Sequence, residues 1–379
     1  VTIIAVYEPT TISGPQGIIS KRDNTNSVSY NMFIWNGNDV YFDTRSTVSG
    51  RNRQQSTGSG LSTATPYILS ATYDGSQKRL FRNGSGTGSV NYTDASIFNT
   101  NADLILGALN FNYGTYLNGD LAEVIVYNEG LNAAELTLID NYLQEKYSLS
   151  ISISNDFFGN YAAGYTADIR GIGTTDGTEK VSESGWSDAL KLGELDGTLD
   201  ATNEFVLFAH DDGVSHTNAQ STSDLGTDVD NRWNKDYYLE FYQSGSIDAA
   251  SVNVEFTFDY NAAHGSIPAI VGNDYVLLYR SGTSGNYERV FASNVTVNSG
   301  EVTFEIPASR LSSGYYTLGE GDALEQKTWY VLVDGDWDDP VTWTLDAGIA
   351  PIPNNPGSDI PGNEDIVIIR SGKKVTVPS

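Results

Sequence analysis

The side chains with the widest chemical repertoire in this 379-residue chain are three histidines and 48 acidic residues. His210 and His216 flank Asp211-Asp212-Gly213, while His264 stands apart. A transition-metal centre needs several convergent ligands held by supporting hydrogen bonds. Two histidines six positions apart in a Gly- and Ser-containing segment read first as a solvated loop or turn, then as a metal site, and last as catalytic. Carboxylates are too numerous for spacing to select a glycosidase-like pair. Their loops suit a hard, oxygen-seeking cation better, so calcium is the more plausible inorganic partner, the alternative being no cofactor at all. Its candidate ligands are Asp211 and Asp212, then Asp224, Asp228 and Asp230, with Asp334, Asp336, Asp338 and Asp339 as a further acidic run. None has the EF-hand spacing, and each reads first as a solvated loop and only then as a cation site. Asp43, Asp74 and Asp120 read as turn or strand-end residues. No G-x-S-x-G elbow, G-x-x-x-x-G-K-S/T loop or H-E-x-x-H helix is present. The expectation is a chain that is not an enzyme.

Aromatic side chains offer a second chemistry, since ring faces stack on sugars. Trp35, Tyr41, Tyr113 and Tyr116 are the candidates, with Asn112 as a polar partner. The run Asn110-Phe111-Asn112-Tyr113-Gly114-Thr115-Tyr116 has the character of a binding loop. Trp35 and Tyr41 read first as core or sheet-surface residues, whereas for Tyr113 and Tyr116 the two readings stand level.

Composition narrows the function classes. With 21 basic against 48 acidic residues the net charge is -27. Such a surface repels nucleic acid and anionic membrane, because phosphate binding needs clustered Lys and Arg. The acidity serves either solubility or divalent-cation binding. Cysteine is absent, which excludes disulfides, thiolate metal sites and cysteine nucleophiles. There is no apolar run of membrane-spanning length and no charged-then-apolar leader. Val1–Tyr7 and Val375–Val377 both read as strands, so the expectation is a piece of a longer chain.

The elements that must position these residues are mostly strands. Gly, Asn and Ser punctuate short apolar runs at Thr2–Tyr7, Gly17–Lys21, Tyr30–Trp35, Val40–Asp43, Tyr67–Tyr73, Lys78–Arg82 and Asp103–Leu109. Asp74-Gly75 and Asn83-Gly84 read as tight turns. The stretch Gly119–Tyr147 organises this first unit. Its strand places Leu121, Glu123, Ile125 and Tyr127 on one face and Ala122, Val124 and Val126 on the other, apolar enough to be covered on both sides. A helix follows, with Asn132 as N-cap, Glu135 completing a capping box, and Leu136, Ile139 and Leu143 at helical spacing.

This stretch resembles the end of the concanavalin A-like, or laminin-G-like, jelly-roll domains of bacterial surface proteins. Gly119, Leu121, Ala122, Glu123, Val124 and Tyr127 match the family's strand. Leu131, Glu135, Ile139, Tyr142, Leu143, Lys146 and Tyr147 match its helix. Ala71–Gly84 and Ile18–Lys21 resemble its hairpin and its I-I-S-K strand. The resemblance implies a jelly roll over residues 1–150, in a family that often holds one calcium at a loop rim. The polysaccharide-cleaving relatives carry E-x-D-x-E strands or basic clusters, and neither is found here. Residues 151–319 read as a second β-sandwich. Tyr165–Gly173, Phe208–Gly213 and Ser313–Gly319 are similar to an uncharacterised domain of Bacteroidota cell-surface proteins. Residues 320–379 carry a G-x-W-x-x-P-x-x-W pattern, Gly335 to Trp343, and look like the opening of a β-solenoid-type module too short for a full core.

The fold expectation is therefore all-β: a laminin-G-like jelly roll, a second β-sandwich and a short β-rich C-terminal segment. What the resemblance implies for function is a non-catalytic segment of a large secreted or cell-surface adhesin of a Gram-negative bacterium. It would bind glycan or protein ligands weakly through loops, with calcium assisting, in attachment or gliding. A carbohydrate-active enzyme module and a purely structural spacer are the alternatives.

Overall fold

The computed structural model describes residues 1–24, 26–35, 39–46, 50–56, 60–93, 96–110, 114–152, 156, 164–213, 223–226, 229–243, 246–247, 251–260, 275–321, 328–345, 360–362 and 365–377. Among them the chain is almost wholly β, as the turn-punctuated sequence requires.

The first unit comprises β1 (Thr2–Pro9), β2 (Gln16–Asn24), β3 (Ser27–Ile34), β4 (Val40–Ser46), β5 (Gly50–Gln55), β6 (Tyr67–Tyr73), β7 (Gln77–Arg82), β8 (Ser85–Asn91), β9 (Leu104–Leu106), β10 (Gly119–Tyr127) and α1 (Ala133–Tyr147). Two five-stranded antiparallel sheets, β10-β1-β6-β7-β8 and β5-β4-β3-β2-β9, face each other. Ile3, Ala5, Met32, Ile34, Phe42 and Leu69 lie buried between them. Both predicted turns form. Asp74 Oδ1 accepts from the Ser76 and Gln77 backbone N–H groups at 2.8 and 2.7 Å. Asn83 and Gly84 turn with φ of 49° and 77°, the left-handed pair a two-residue hairpin needs.

The organising stretch behaves differently from its sequence pattern in two respects. The strand covered on both faces is β1, whose Ile4 and Val6 pack under Leu136 and Leu143 of α1. β10 is the sheet's edge, and Val126 remains 39% exposed. Second, Val6 pairs with Glu123 while Tyr7 pairs with Leu121, so Ala122 is a bulge. One extra residue inverts the alternation beyond it. Leu121 and Val124 consequently share the inner core, and Ile125 and Tyr127 face the helix.

The second unit contains β11 (Ala167–Thr174), β12 (Lys180–Val181), β13 (Leu190–Glu194), β14 (Glu204–His210), β15 (Val229–Arg232), β16 (Tyr237–Gln243), β17 (Ser246–Ile247), β18 (Val254–Asp259), β19 (Tyr275–Arg280), β20 (Glu288–Val290), β21 (Asn294–Asn298), β22 (Glu301–Ile306) and β23 (Gly314–Gly321). A large sheet ordered β12-β11-β14-β16-β23-β19-β20, with β15 on β23 and β17 on β16, covers the four-stranded sheet β13-β18-β22-β21. Phe208, Tyr237 and Leu277 on one side meet Leu192, Phe256 and Phe304 on the other. The two units meet through α1. Its Ala134, Leu138 and Tyr142 pack on Ile169, Phe205 and Leu207 of the large sheet.

The C-terminal segment adds β24 (Thr328–Val331), β25 (Gly335–Asp336), β26 (Trp343–Thr344), β27 (Ile366–Ile368) and β28 (Val375–Thr376). β24 pairs with β27, and β25 with β28, both in parallel. Trp329 and Trp343 are fully buried, and the Trp337 ring meets Trp343 edge-on at 5.1 Å.

Candidate functional site

The outward face of the β5-β4-β3-β2-β9 sheet is crossed at one rim by residues 96–110, and hydrogen bonds fix that crossing. Ser29 Oγ donates to the Phe98 carbonyl at 2.7 Å and accepts from the Thr100 N–H at 3.1 Å. The Phe98 N–H donates to the Arg45 carbonyl at 2.7 Å, and Lys21 Nζ donates to the Ala102 carbonyl at 2.9 Å. Gly17 lets the chain lie flat on β2, since a Cβ there would sit 2.1 Å from the Leu109 nitrogen.

These contacts leave a cleft of about 660 Å³ lined chiefly by Arg22, Asp23, Asn99, Asn101, Asp103 and Asn110. Arg22 and Asn110 are buried, and Asn110 Nδ2 donates to the Asp23 carbonyl at 2.7 Å. Asn101 and Asp103 are exposed at its mouth. The lining carries amide, guanidinium and carboxylate groups, able to donate and accept hydrogen bonds in one concave surface. Sequence reading named the neighbouring loop 110–116 but missed residues 98–103, whose Asn-rich run was the available signal.

Of the residues expected to stack on a ligand, Tyr116 is 55% and Trp35 36% exposed. Asn112 and Tyr113 lie outside the described residues. The Trp35 ring meets Phe33 edge-on at 6.1 Å, and Phe33 stacks on Tyr41 at 5.4 Å. Tyr41 is buried. The Arg53 guanidinium covers both rings at 5.0 and 5.4 Å and grips the buried Asp43 carboxylate at 2.8 and 3.2 Å.

The expected metal ligands are distributed as follows. Asp211 Oδ1 accepts from the Gly213 N–H at 2.6 Å, closing its own turn, with Asp212 beside it. Asp224 is held by Arg232 at 2.7 Å and by Arg280 at 3.6 Å. Asp230 is exposed on β15, and Asp228 lies outside the described residues. Among the described residues no three His, Asp or Glu side chains gather as a metal-binding group.

His210 corrects the loop reading. It ends β14 and is buried, because the apolar run Phe205–Ala209 carries the strand one residue further than the following Asp-Asp-Gly suggests. Its Nδ1 lies 3.5 Å from Lys235 Nζ, and its Nε2 lies 3.8 Å from Asp168 Oδ2. Lys235 is in turn paired with Asp188. His216 and His264 fall outside the described residues.

A buried polar network that sequence spacing could not reveal sits on the large sheet. Asp236 accepts from the hydroxyls of Tyr165 and Tyr287 and from Arg280 Nη2, the last at 3.0 Å. Burial, and then the Asp236 charge, pushes both tyrosine pKa values up. Three donors on one buried carboxylate make it a clamp on the sheet, although the buried Arg280 Nε makes no hydrogen bond among the described residues.

A second cleft, of about 530 Å³, opens between β10 and α1 of the first unit and β11 and β12 of the second.

A family model described as the concanavalin A-like lectin/glucanases superfamily matches residues 1–137. No curated protein matches the chain. Among solved structures, the chain is similar to the CBM40 module of the Ruminococcus gnavus IT-sialidase bound to α2,3-sialyllactose, at 18% identity and a TM-score of 0.30, covering 36% of this chain and 79% of that one. It is also similar to the heptameric SAP-like pentraxin of Limulus polyphemus, at 14% identity and a TM-score of 0.30, covering 37% and 69%.

Proposed function

We propose that the first unit binds carbohydrate in the rim cleft, as a non-catalytic recognition segment of a secreted or cell-surface adhesin. The observation that carries this is the cleft itself. Its lining is dense in amide and charged side chains, on a lectin-type sandwich; Trp35 and Tyr116 are exposed elsewhere on the unit and do not line the cleft. Vicinal sugar hydroxyls need both donors and acceptors, and Arg22, Asn99, Asn101 and Asp103 provide both. Recognition built this way orients a ligand by a few placed polar groups. The test is a glycan array probed with the whole chain, once in calcium and once in chelator. Binding to a defined set of glycans supports the reading. Loss of that binding in chelator would add calcium as a partner, and a blank array in both conditions would overturn the proposal.

A further inference from the structure

We propose that the cleft between the two units is a second saccharide site, which accepts the ring of a neutral pyranose. Its floor is apolar: Ile125, Leu138 and Ile139 come from the first unit and Ile169 from the second. Tyr127 and Tyr142 also line it, and the Arg170 guanidinium lies 5.9 Å from the Tyr142 ring centre. Aromatic and aliphatic walls with a few convergent polar groups, placed where two domains meet, are the usual make-up of a small-ligand site.

The charges around the cleft decide the class of ligand. Three of the four have an ionic partner within the protein. Glu123 pairs with Lys146 at 3.0 Å, Glu183 with Lys191 at 2.9 Å, and Arg170 with Asp168 at 3.7 Å. Glu135 caps the helix through the Asn132 N–H at 2.7 Å. Only Glu135 lacks an ionic partner, so the lining repels an anion, and among the described residues no cluster of carboxylates is there to hold a cation. Hydrogen-bonding capacity remains, because a carboxylate accepts about four bonds and a guanidinium donates five. Tyr127 feels this surrounding. Burial raises its hydroxyl pKa first, with the charges of Glu135 and Glu123 adding to the rise and Arg170 opposing it. A wholly apolar guest would strand these polar groups, which is costly. A pyranose presents a C–H face to the floor and tyrosines, and hydroxyls that donate and accept at the rim.

The test uses the full chain and ligand-observed NMR with the methyl glycosides of glucose, galactose and mannose, and with glucuronate as the anionic probe. Two variants isolate the cleft from the rim site. Gly185→Trp fills it from an exposed loop where an added Cβ meets nothing closer than Arg170 Nε at 3.4 Å. Tyr127→Phe removes one hydroxyl at nearly constant volume. In a background that carries Asn101→Ala and Asp103→Ala to silence the rim cleft, the expected result is binding of at least one neutral glycoside with Kd of about 1–10 mM, abolished in Gly185→Trp and weakened roughly three- to tenfold in Tyr127→Phe. The proposal is overturned if no neutral glycoside binds, if glucuronate alone binds, or if Gly185→Trp binds like the parent. Should Gly185→Trp fail to fold, Tyr127→Phe decides, and unchanged affinity there overturns it.

Discussion

Asn132 and Glu135 satisfy each other's backbone at the start of α1: Asn132 Oδ1 accepts from the Glu135 N–H at 2.9 Å, and the Glu135 carboxylate accepts from the Asn132 N–H at 2.7 Å. This box matters to more than one helix, because α1 is the layer on which both units rest. Asn132→Ala should cost about 1 kcal/mol. Urea unfolding followed by tryptophan fluorescence, which reports mainly the second unit and C-terminal segment, should show a lower midpoint at unchanged slope. An unmoved midpoint would show that the second unit does not depend on α1.

Lys78 and Asp140 give the first unit opposed pH dependences. Lys78 is fully buried, donates to the Asn52 carbonyl at 2.8 Å and lies 4.7 Å from the Tyr92 ring centre. Burial lowers its pKa to about 7, against a smaller upward pull from Asp43. Between that value and the unfolded one, near 10.4, the unfolded chain binds more protons, so stability rises with pH. Lys78→Met should abolish that rise, on the order of 2 kcal/mol between pH 7 and 9. A parent whose thermal midpoint rises no more than the variant's over this range contradicts the assignment.

Asp140 works in the other direction and in a lower window. It is buried on α1 with Oδ1 unpartnered, and burial raises its pKa to about 7. From about pH 4 to pH 7 the folded chain holds the extra proton, so stability falls as pH rises. Asp140→Asn should remove this fall and stabilise the protein at neutral pH by roughly 3–4 kcal/mol. The parent's contribution from these two residues is therefore least favourable near pH 7. Midpoints of parent and variant that run parallel from pH 4 to 8 would rule the mechanism out.

In the second unit, Asp236 should matter more than either tyrosine that donates to it. Asp236→Asn leaves Arg280 short of a buried counter-ion and should cost about 3–5 kcal/mol. Tyr287→Phe removes one bond to a charged acceptor and should cost about 1.5–3 kcal/mol. The reverse order in denaturant titrations would place the clamp's value in tyrosine packing.

Much of this fold was legible from local pattern. The Asp74-Gly75 and Asn83-Gly84 turns and the Asn132 capping box are short-range chemistry, and each formed as its residues dictate. What escaped was set by partners distant in sequence. The Ala122 bulge follows from pairing with β1, and it moves Leu121 to the face opposite the one its spacing implied. His210 looked solvated beside two aspartates, yet Asp168 of β11 and Lys235, itself paired with Asp188, approach it from segments distant in sequence. The rim cleft shows the same limit. Asn110 pointed towards it, but Arg22 and residues 98–103 join it only because Ser29 and Gly17 hold one loop across the sheet.

The proposal that the rim cleft recognises carbohydrate is tested most directly by titration calorimetry of the strongest array glycan against the parent chain and the double variant Asn101→Ala/Asp103→Ala. Both side chains are exposed at the cleft mouth, so the fold should be untouched. The account predicts at least a tenfold loss of affinity, about 1.4 kcal/mol, with the thermal midpoint unchanged. Parent-like binding by a folded double variant would contradict it and move recognition away from this cleft.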